Sequence, residues 1–280
     1  MRLLLVFVLT ILIFTNTFSQ PEDQSKTEWF PSGLNVQPFT ANFLEPKAGF
    51  SFLLGRREIR LDIGTSSDIY HYSKDNTCLS FGADLFTYTR LRGESEFHFP
   101  VEAVDYLFGI NGSYKIIKEE SEYGIRLRLS HISAHFADGH YDNRLSEWMD
   151  GRSPRTYSRE FIELFPYYEI KDFRAYLGFT YLLHVTPKRL NNDIYQAGFD
   201  YFAASLISDF ITPFAAYDFK LAHFEDFYSG SNILTAGIKF GRYDSKGFSI
   251  SISYYSGKSI HGEYFDTNED YASFGFNMDL

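Results

Sequence analysis

The 280-residue chain carries 36 acidic against 26 basic side chains, a net charge of −10. That balance argues against nucleic acid as a partner, because phosphate binding needs a clustered basic face. Beyond the first twenty residues no run approaches the roughly 18 consecutive apolar residues of a membrane helix, which excludes a helical membrane protein. The lone Cys78 excludes an internal disulfide framework, and what remains to be placed is an aromatic load of 30 Phe and 21 Tyr.

In chain order, Met1-Arg2 is a short positive start, Leu3 to Phe14 an apolar stretch of secretory length, and Thr17-Phe18-Ser19 a small-x-small site for signal peptidase. Residues 1–19 therefore read as a signal peptide, with cleavage expected before Gln20 and no cysteine following that would make a lipoprotein. Residues 20–46 hold several prolines and no sustained alternation, and predict either a periplasmic lead or a plug inside a lumen.

From residue 47 to 280, period two dominates. Ile59, Leu61 and Ile63 share one face; so do Leu79, Phe81, Ala83 and Leu85; Tyr123, Ile125, Leu127 and Leu129; and Leu234, Ala236, Ile238 and Phe240. Phe173, Ala175, Leu177, Phe179, Tyr181 and Leu183 extend one apolar face over eleven residues, the roughly 9 to 11 that a tilted strand needs to cross hydrocarbon. Phe248, Ile250, Ile252 and Tyr254 oppose Gly247, Ser249, Ser251 and Ser253, and the last strand repeats the scheme. Strand starts fall near 48, 57, 78, 104, 122, 158, 172, 196, 213, 231, 247 and 269. The prediction is an all-β transmembrane antiparallel β-barrel of ten to twelve strands, of the bacterial outer-membrane type.

Short links at 118–121, 171–172, 208–212 and 243–246 alternate with longer ones expected at 137–157, 186–195, 225–230 and 257–268, as periplasmic turns and external loops do. Two further long links are expected at 66–77 and 91–103. Tyr88, Tyr167, Tyr168, Tyr201, Tyr254 and Tyr255 lie near strand ends and would form interfacial girdles. Ser273, Gly275, Met278 and Leu280 resemble the terminal-strand signal read by the barrel assembly machinery, with Leu in place of the commoner aromatic. The expected surroundings are outer-membrane lipid.

One stretch concentrates chemistry: Ser130-His131-Ile132-Ser133-Ala134-His135-Phe136-Ala137-Asp138-Gly139-His140. Strand parity sends Arg126, Arg128 and Ser130 inward, and His131, Ser133 and His135 outward near the external interface. His131-x-Ser133 on a barrel wall, followed by a strand with Tyr157-Ser158-Arg159-Glu160, resembles the arrangement in outer-membrane phospholipase A and lipid A deacylases. That resemblance implies Ser133 as nucleophile, His131 as base, and Glu160 or Glu163 as the group orienting His131. Ala134-His135 departs from the Asn-Gly that commonly follows the serine in that phospholipase.

Phe99-Pro100-Val101, Asp105-Tyr106, Gly109, the stretch Ser130 to Asp138, and Gly262-Glu263-Tyr264-Phe265 are together similar to a bacterial family known as domain of unknown function 1207, a likeness running from about residue 97 to the end. It implies an envelope barrel and no particular activity. In the loop 137–157, Asp138, His140 and Asp142 are candidate ligands for a divalent cation such as calcium, although the spacing fits no calcium-loop template. Arg60, Asp62, Asp84, Arg126, Arg128 and Lys239 point inward, to line a pore or to pair in a closed lumen. The first functional reading is an integral outer-membrane barrel with a structural or binding role; the alternatives are a lipid-acyl ester hydrolase and a small passive channel.

Overall fold

Residues 25–204 and 206–279 are described by a computed structural model. The expected signal peptide and Leu280 of the C-terminal pattern lie outside the described residues. The strands are β1 (Ser25–Trp29), β2 (Ala48–Leu53), β3 (Glu58–Lys74), β4 (Thr77–Arg92), β5 (Val101–Ile117), β6 (Ser121–Phe136), β7 (Tyr141–Asp142), β8 (Glu147–Trp148), β9 (Tyr157–Ile170), β10 (Phe173–Thr186), β11 (Leu190–Phe202), β12 (Ile211–Phe224), β13 (Phe227–Phe240), β14 (Gly247–Lys258) and β15 (Asn268–Asp279). β7 and β8 form a small separate hairpin, and β1 pairs with the lower part of β3. The other twelve strands pair antiparallel in sequence order, and β15 closes onto β2 with Phe276 opposite Phe50. Closure leaves no free edge along the wall, which is the condition for a sheet to exist in lipid.

The side chains run the wrong way round for water. On β4, Leu79, Phe81 and Leu85 are exposed while Ser80 and Asp84 between them are buried; on β6, Leu127 and Leu129 are exposed and Arg128 is enclosed. A soluble protein inverts this order, because large apolar patches on the outside are unfavourable in water. Hydrocarbon around the wall reverses the sign of that term. No helix among the described residues is long and apolar enough to cross a membrane.

The connections 75–76, 118–120, 171–172, 203–210 and 241–246 define one end, the last two longer than expected, and 93–100, 137–156, 187–189, 225–226 and 259–267 the other, which holds the longest loop, 137–156. Short turns are periplasmic and long loops external in such barrels, which puts the end of β6 outside. Several expected loops are shorter than their sequence suggested. Residues 66–74 belong to β3, 190–195 to β11 and 227–230 to β13, leaving connections of only 75–76, 187–189 and 225–226. The alternation there was hidden because the outward positions Thr65 and Ser67 and the β11 start, Leu190-Asn191-Asn192, are not uniformly apolar. The girdle also needs correction. Tyr168, Tyr201 and Tyr254 face outward, but Tyr88, Tyr167 and Tyr255 are buried inside, since adjacent residues on a strand cannot share a face.

The lumen is filled. Residues 33–47 pass into it, with Phe39 stacked on Tyr176 at 4.1 Å and set between the guanidinium groups of Arg126 and Arg174, each 4.7 Å from its ring. Arg174 donates to the carbonyls of Gln37 and Pro38, and Arg128 to that of Leu44. Glu45 receives the Arg126 guanidinium on both oxygens. Nearer the external end the interior turns apolar: Phe86, Leu107, Ile132, Phe161, Leu182, Ile194 and Phe224 pack together, capped by Phe265 from the loop 259–267. A cavity of about 540 Å3 remains open beside residues 33–47, walled by serines such as Ser249, Ser251 and Ser253.

Candidate active site on the membrane face

β6 and β9 are direct neighbours, and their register sets His131 opposite Glu160 and Ser133 opposite Ser158. The twenty residues between the two strands leave this register unconstrained in the sequence; it is set by the apolar outward runs on both, Ile125 to Leu129 and Leu164 to Ile162, meeting across the pair. The outward face at this height therefore carries His131, Ser133, Ser158 and Glu160 together.

His131 Nδ1 lies 2.6 Å from Glu160 Oε1, the distance of a charge-assisted hydrogen bond. Its ring rests on Phe108 of β5, centroid to centroid 4.9 Å, so the imidazole is held on one flank by an aromatic and on the other by a carboxylate. With Nδ1 engaged, Nε2 is the nitrogen left to accept a proton. Ser133 is two residues further along the same face, about 6.6 Å between Cα atoms by strand geometry. Tyr106 lies across from Ser133, and its ring approaches His135 at 6.2 Å. The constellation sits where the apolar band ends: Leu129 and Ile162 are the last outward aliphatics below it on these strands.

Glu163 is not part of this group. Three residues from Glu160 on an alternating strand, it faces the lumen, is 1% exposed, and accepts from Arg128 Nε at 2.7 Å and from the hydroxyl of Thr180. A residue that sequence reasoning missed takes part instead. His184 of β10 lies opposite Glu160, and its Nδ1 is 2.9 Å from Glu160 Oε2. Simple alternation on β10 sends His184 inward; a register shift between Leu182 and His184 turns it out.

Asp138, His140 and Asp142 are not brought together. Among the described residues no group of three or more His, Cys, Asp or Glu side chains could hold a metal ion. The Asp142 carboxylate accepts the backbone N–H groups of Arg144 and Leu145, which hold its pKa below the usual range. His140 is enclosed, stacked on Phe136 at 4.1 Å, and burial pushes its pKa down. The inward charges are spoken for. Arg60 meets Asp62 at 2.6 Å, Asp84 accepts from Ser66 and Asn111, Arg126 and Arg128 meet Glu45 and Glu163, and Lys239 meets Asp279 at 2.7 Å.

The external loop 259–267 is tied to the wall at one point and to loop 137–156 at another. Asp105 of β5 accepts from the Gly262 amide at 2.7 Å and contacts His261 Nδ1 at 2.9 Å. Asp266 contacts the guanidinium groups of Arg152 and Arg155 at 3.2 and 3.0 Å, and these hold its pKa down at about 2.

The fold is shared with solved outer-membrane barrels. Outer membrane phospholipase A from Escherichia coli is similar over 88% of this chain and 94% of its own, with 12% identity and a TM-score of 0.52. OmpT, an outer membrane protein of Vibrio cholerae, is similar over 91% of this chain and 99% of its own at 9% identity and a TM-score of 0.39. OprD from Pseudomonas aeruginosa is similar over 79% and 74%, at 8% identity and a TM-score of 0.34. No curated protein matches the sequence. A family model described as protein of unknown function (DUF1207) matches residues 74–279, and the chain, an integral barrel of the outer-membrane type, belongs to that family.

Proposed function

We propose that this outer-membrane barrel is a lipid-acyl ester hydrolase that works from its membrane face, with Ser133 as nucleophile, His131 as base and Glu160 as the residue orienting His131. The observation that carries the reading is the His131–Glu160 hydrogen bond on the outward face, formed across two strands beside a serine of the same face. The contact lies at the upper edge of the apolar band, toward the level of acyl ester carbonyls, which supports the reading. The similar fold of an outer membrane phospholipase adds support.

In this mechanism Ser133 Oγ attacks the ester carbonyl while His131 Nε2 takes its proton. Glu160 stabilises the imidazolium that results, which then protonates the departing alcohol as the C–O bond breaks. Water, deprotonated by His131, attacks the acyl-serine; the fatty acid leaves and Ser133 regains its proton. The passive-channel alternative gains no support from a lumen crossed by residues 33–47 and sealed above by an apolar cluster. The test is incubation of the refolded protein with phospholipid and with lipid A, with and without calcium, followed by mass spectrometry of the lipids. Released fatty acid that disappears in Ser133→Ala supports the reading; unchanged lipids in every arm refute it.

A further inference from the structure

We propose that His184 is a positioning residue for this site, holding the Glu160 carboxylate in the orientation that His131 requires; the proposal rests on the hydrolase reading above. Glu160 is gripped from both sides. Its Oε1 meets His131 at 2.6 Å and its Oε2 meets His184 at 2.9 Å, with the Ser158 hydroxyl donating to Oε1 at 3.4 Å. Three neighbouring strands, β6, β9 and β10, each contribute a member.

The backbone of β10 departs from regularity to make this contact. Outward positions on β10 run Phe173, Ala175, Leu177, Phe179, Tyr181, and inward ones Arg174, Tyr176, Thr180, Leu182. Continuing the alternation would drive His184 into the apolar cluster around Leu182. The register shift between Leu182 and His184 leaves Leu183 as the extra residue of a bulge, and Leu183 and His184 both face outward. Bulges re-aim side chains at the expense of ladder hydrogen bonds. Keeping an imidazole out of the core explains its outward turn but not why its Nδ1 meets the one carboxylate that serves His131.

Position matters here because Glu160 is partly exposed, its side chain 39% accessible. A carboxylate held by one partner at an interface can rotate away and take the His131 orientation with it. A second donor on the other oxygen fixes both torsions, as supporting hydrogen bonds do in preorganised sites.

The experiment compares wild type, His184→Ala and His184→Asn in full-length protein refolded in micelles. The Asn amide can donate from near the place of Nδ1. Turnover of an acyl ester is read as kcat and KM, and the His131 Nδ1–H proton is followed by NMR. His184→Ala is expected to lower kcat by about ten- to a hundredfold with KM unchanged, and to broaden or shift the His131 resonance upfield; His184→Asn restores both. A His184→Ala protein with wild-type kcat and resonance overturns the proposal, as does an Asn variant that rescues neither. Wild-type protein no more active than Ser133→Ala removes the hydrolase reading instead, and the resonance comparison then decides whether His184 holds Glu160.

Discussion

Asp105 and His261 meet inside the external mouth, Asp105 Oδ2 lying 2.9 Å from His261 Nδ1, with both side chains enclosed. The other oxygen of Asp105 takes the Gly262 amide, so one carboxylate of the wall pins the start of the tight turn Gly262–Tyr264. A side chain at Gly262 has no room, because its Cβ would stand 2.3 Å from the ring of Tyr157. Asp105→Ala is expected to leave the amide and imidazole unpaired and to lower stability by about 2–4 kcal/mol. Urea unfolding in micelles and limited proteolysis at 259–267 measure it; an unchanged midpoint with no new cleavage would contradict the clamp.

The second clamp is pH-dependent. Arg155 and Arg152 hold Asp266 at a pKa of about 2, below its ordinary 3.8. A carboxyl whose pKa is lower in the folded protein contributes stability that is complete above the unfolded value and lost as pH falls through the folded one. The protection factors of loops 137–156 and 259–267, exchange referred to its intrinsic rate at each pH, should thus be flat from pH 7 to about 4.5 and fall steeply toward pH 2. Asp266→Asn should show fast exchange already at pH 7, a loss of about 1–2 kcal/mol after allowance for partial exposure.

Much of this architecture is legible in the sequence. Oily and small residues alternate so cleanly on β14 and β15 that only the neighbour of the oily face was in question, and the outward placement of His131 and Ser133 followed from the parity of Arg126 and Arg128. Other features were not legible for identifiable reasons. The bulge at Leu183 has no glycine or proline to announce it, and plain alternation sends His184 inward, away from the site. The partner of His131 depended on register through a long loop, where parity alone separates Glu160 from Glu163. The apolar upper lumen, with Phe86, Ile132 and Phe161, lies on faces where polar side chains would be the ordinary expectation.

Passage through the lumen is predicted to be closed. Phe39, stacked on Tyr176 and flanked by Arg126 and Arg174, anchors residues 33–47 across the interior. Planar-bilayer recordings of wild-type protein should be silent over the voltage range, and a steady conductance would contradict this packing. Phe39→Ala removes the anchoring ring at a cost of about 3 kcal/mol but leaves the apolar cluster above it intact, so this variant should be silent as well.

Replacing Glu160 by Gln keeps the size of the side chain and removes its charge, so the imidazolium of His131 loses its counterion. The expected fall in kcat is on the order of a hundredfold or more with KM little changed. Glu163→Gln, on the lumen side beside Arg128, should affect stability and leave the His131 resonance in place. Equal losses of kcat in folded Glu160→Gln and Glu163→Gln proteins would argue against the division of roles between the two faces.

The most direct measurement is reaction of the refolded protein with a fluorophosphonate carrying an acyl chain, followed by peptide mass spectrometry. A single adduct on Ser133, absent from His131→Ala and slowed in Glu160→Gln, is the predicted result. A protein that folds and takes no adduct at Ser133, or takes it equally without His131, contradicts the account.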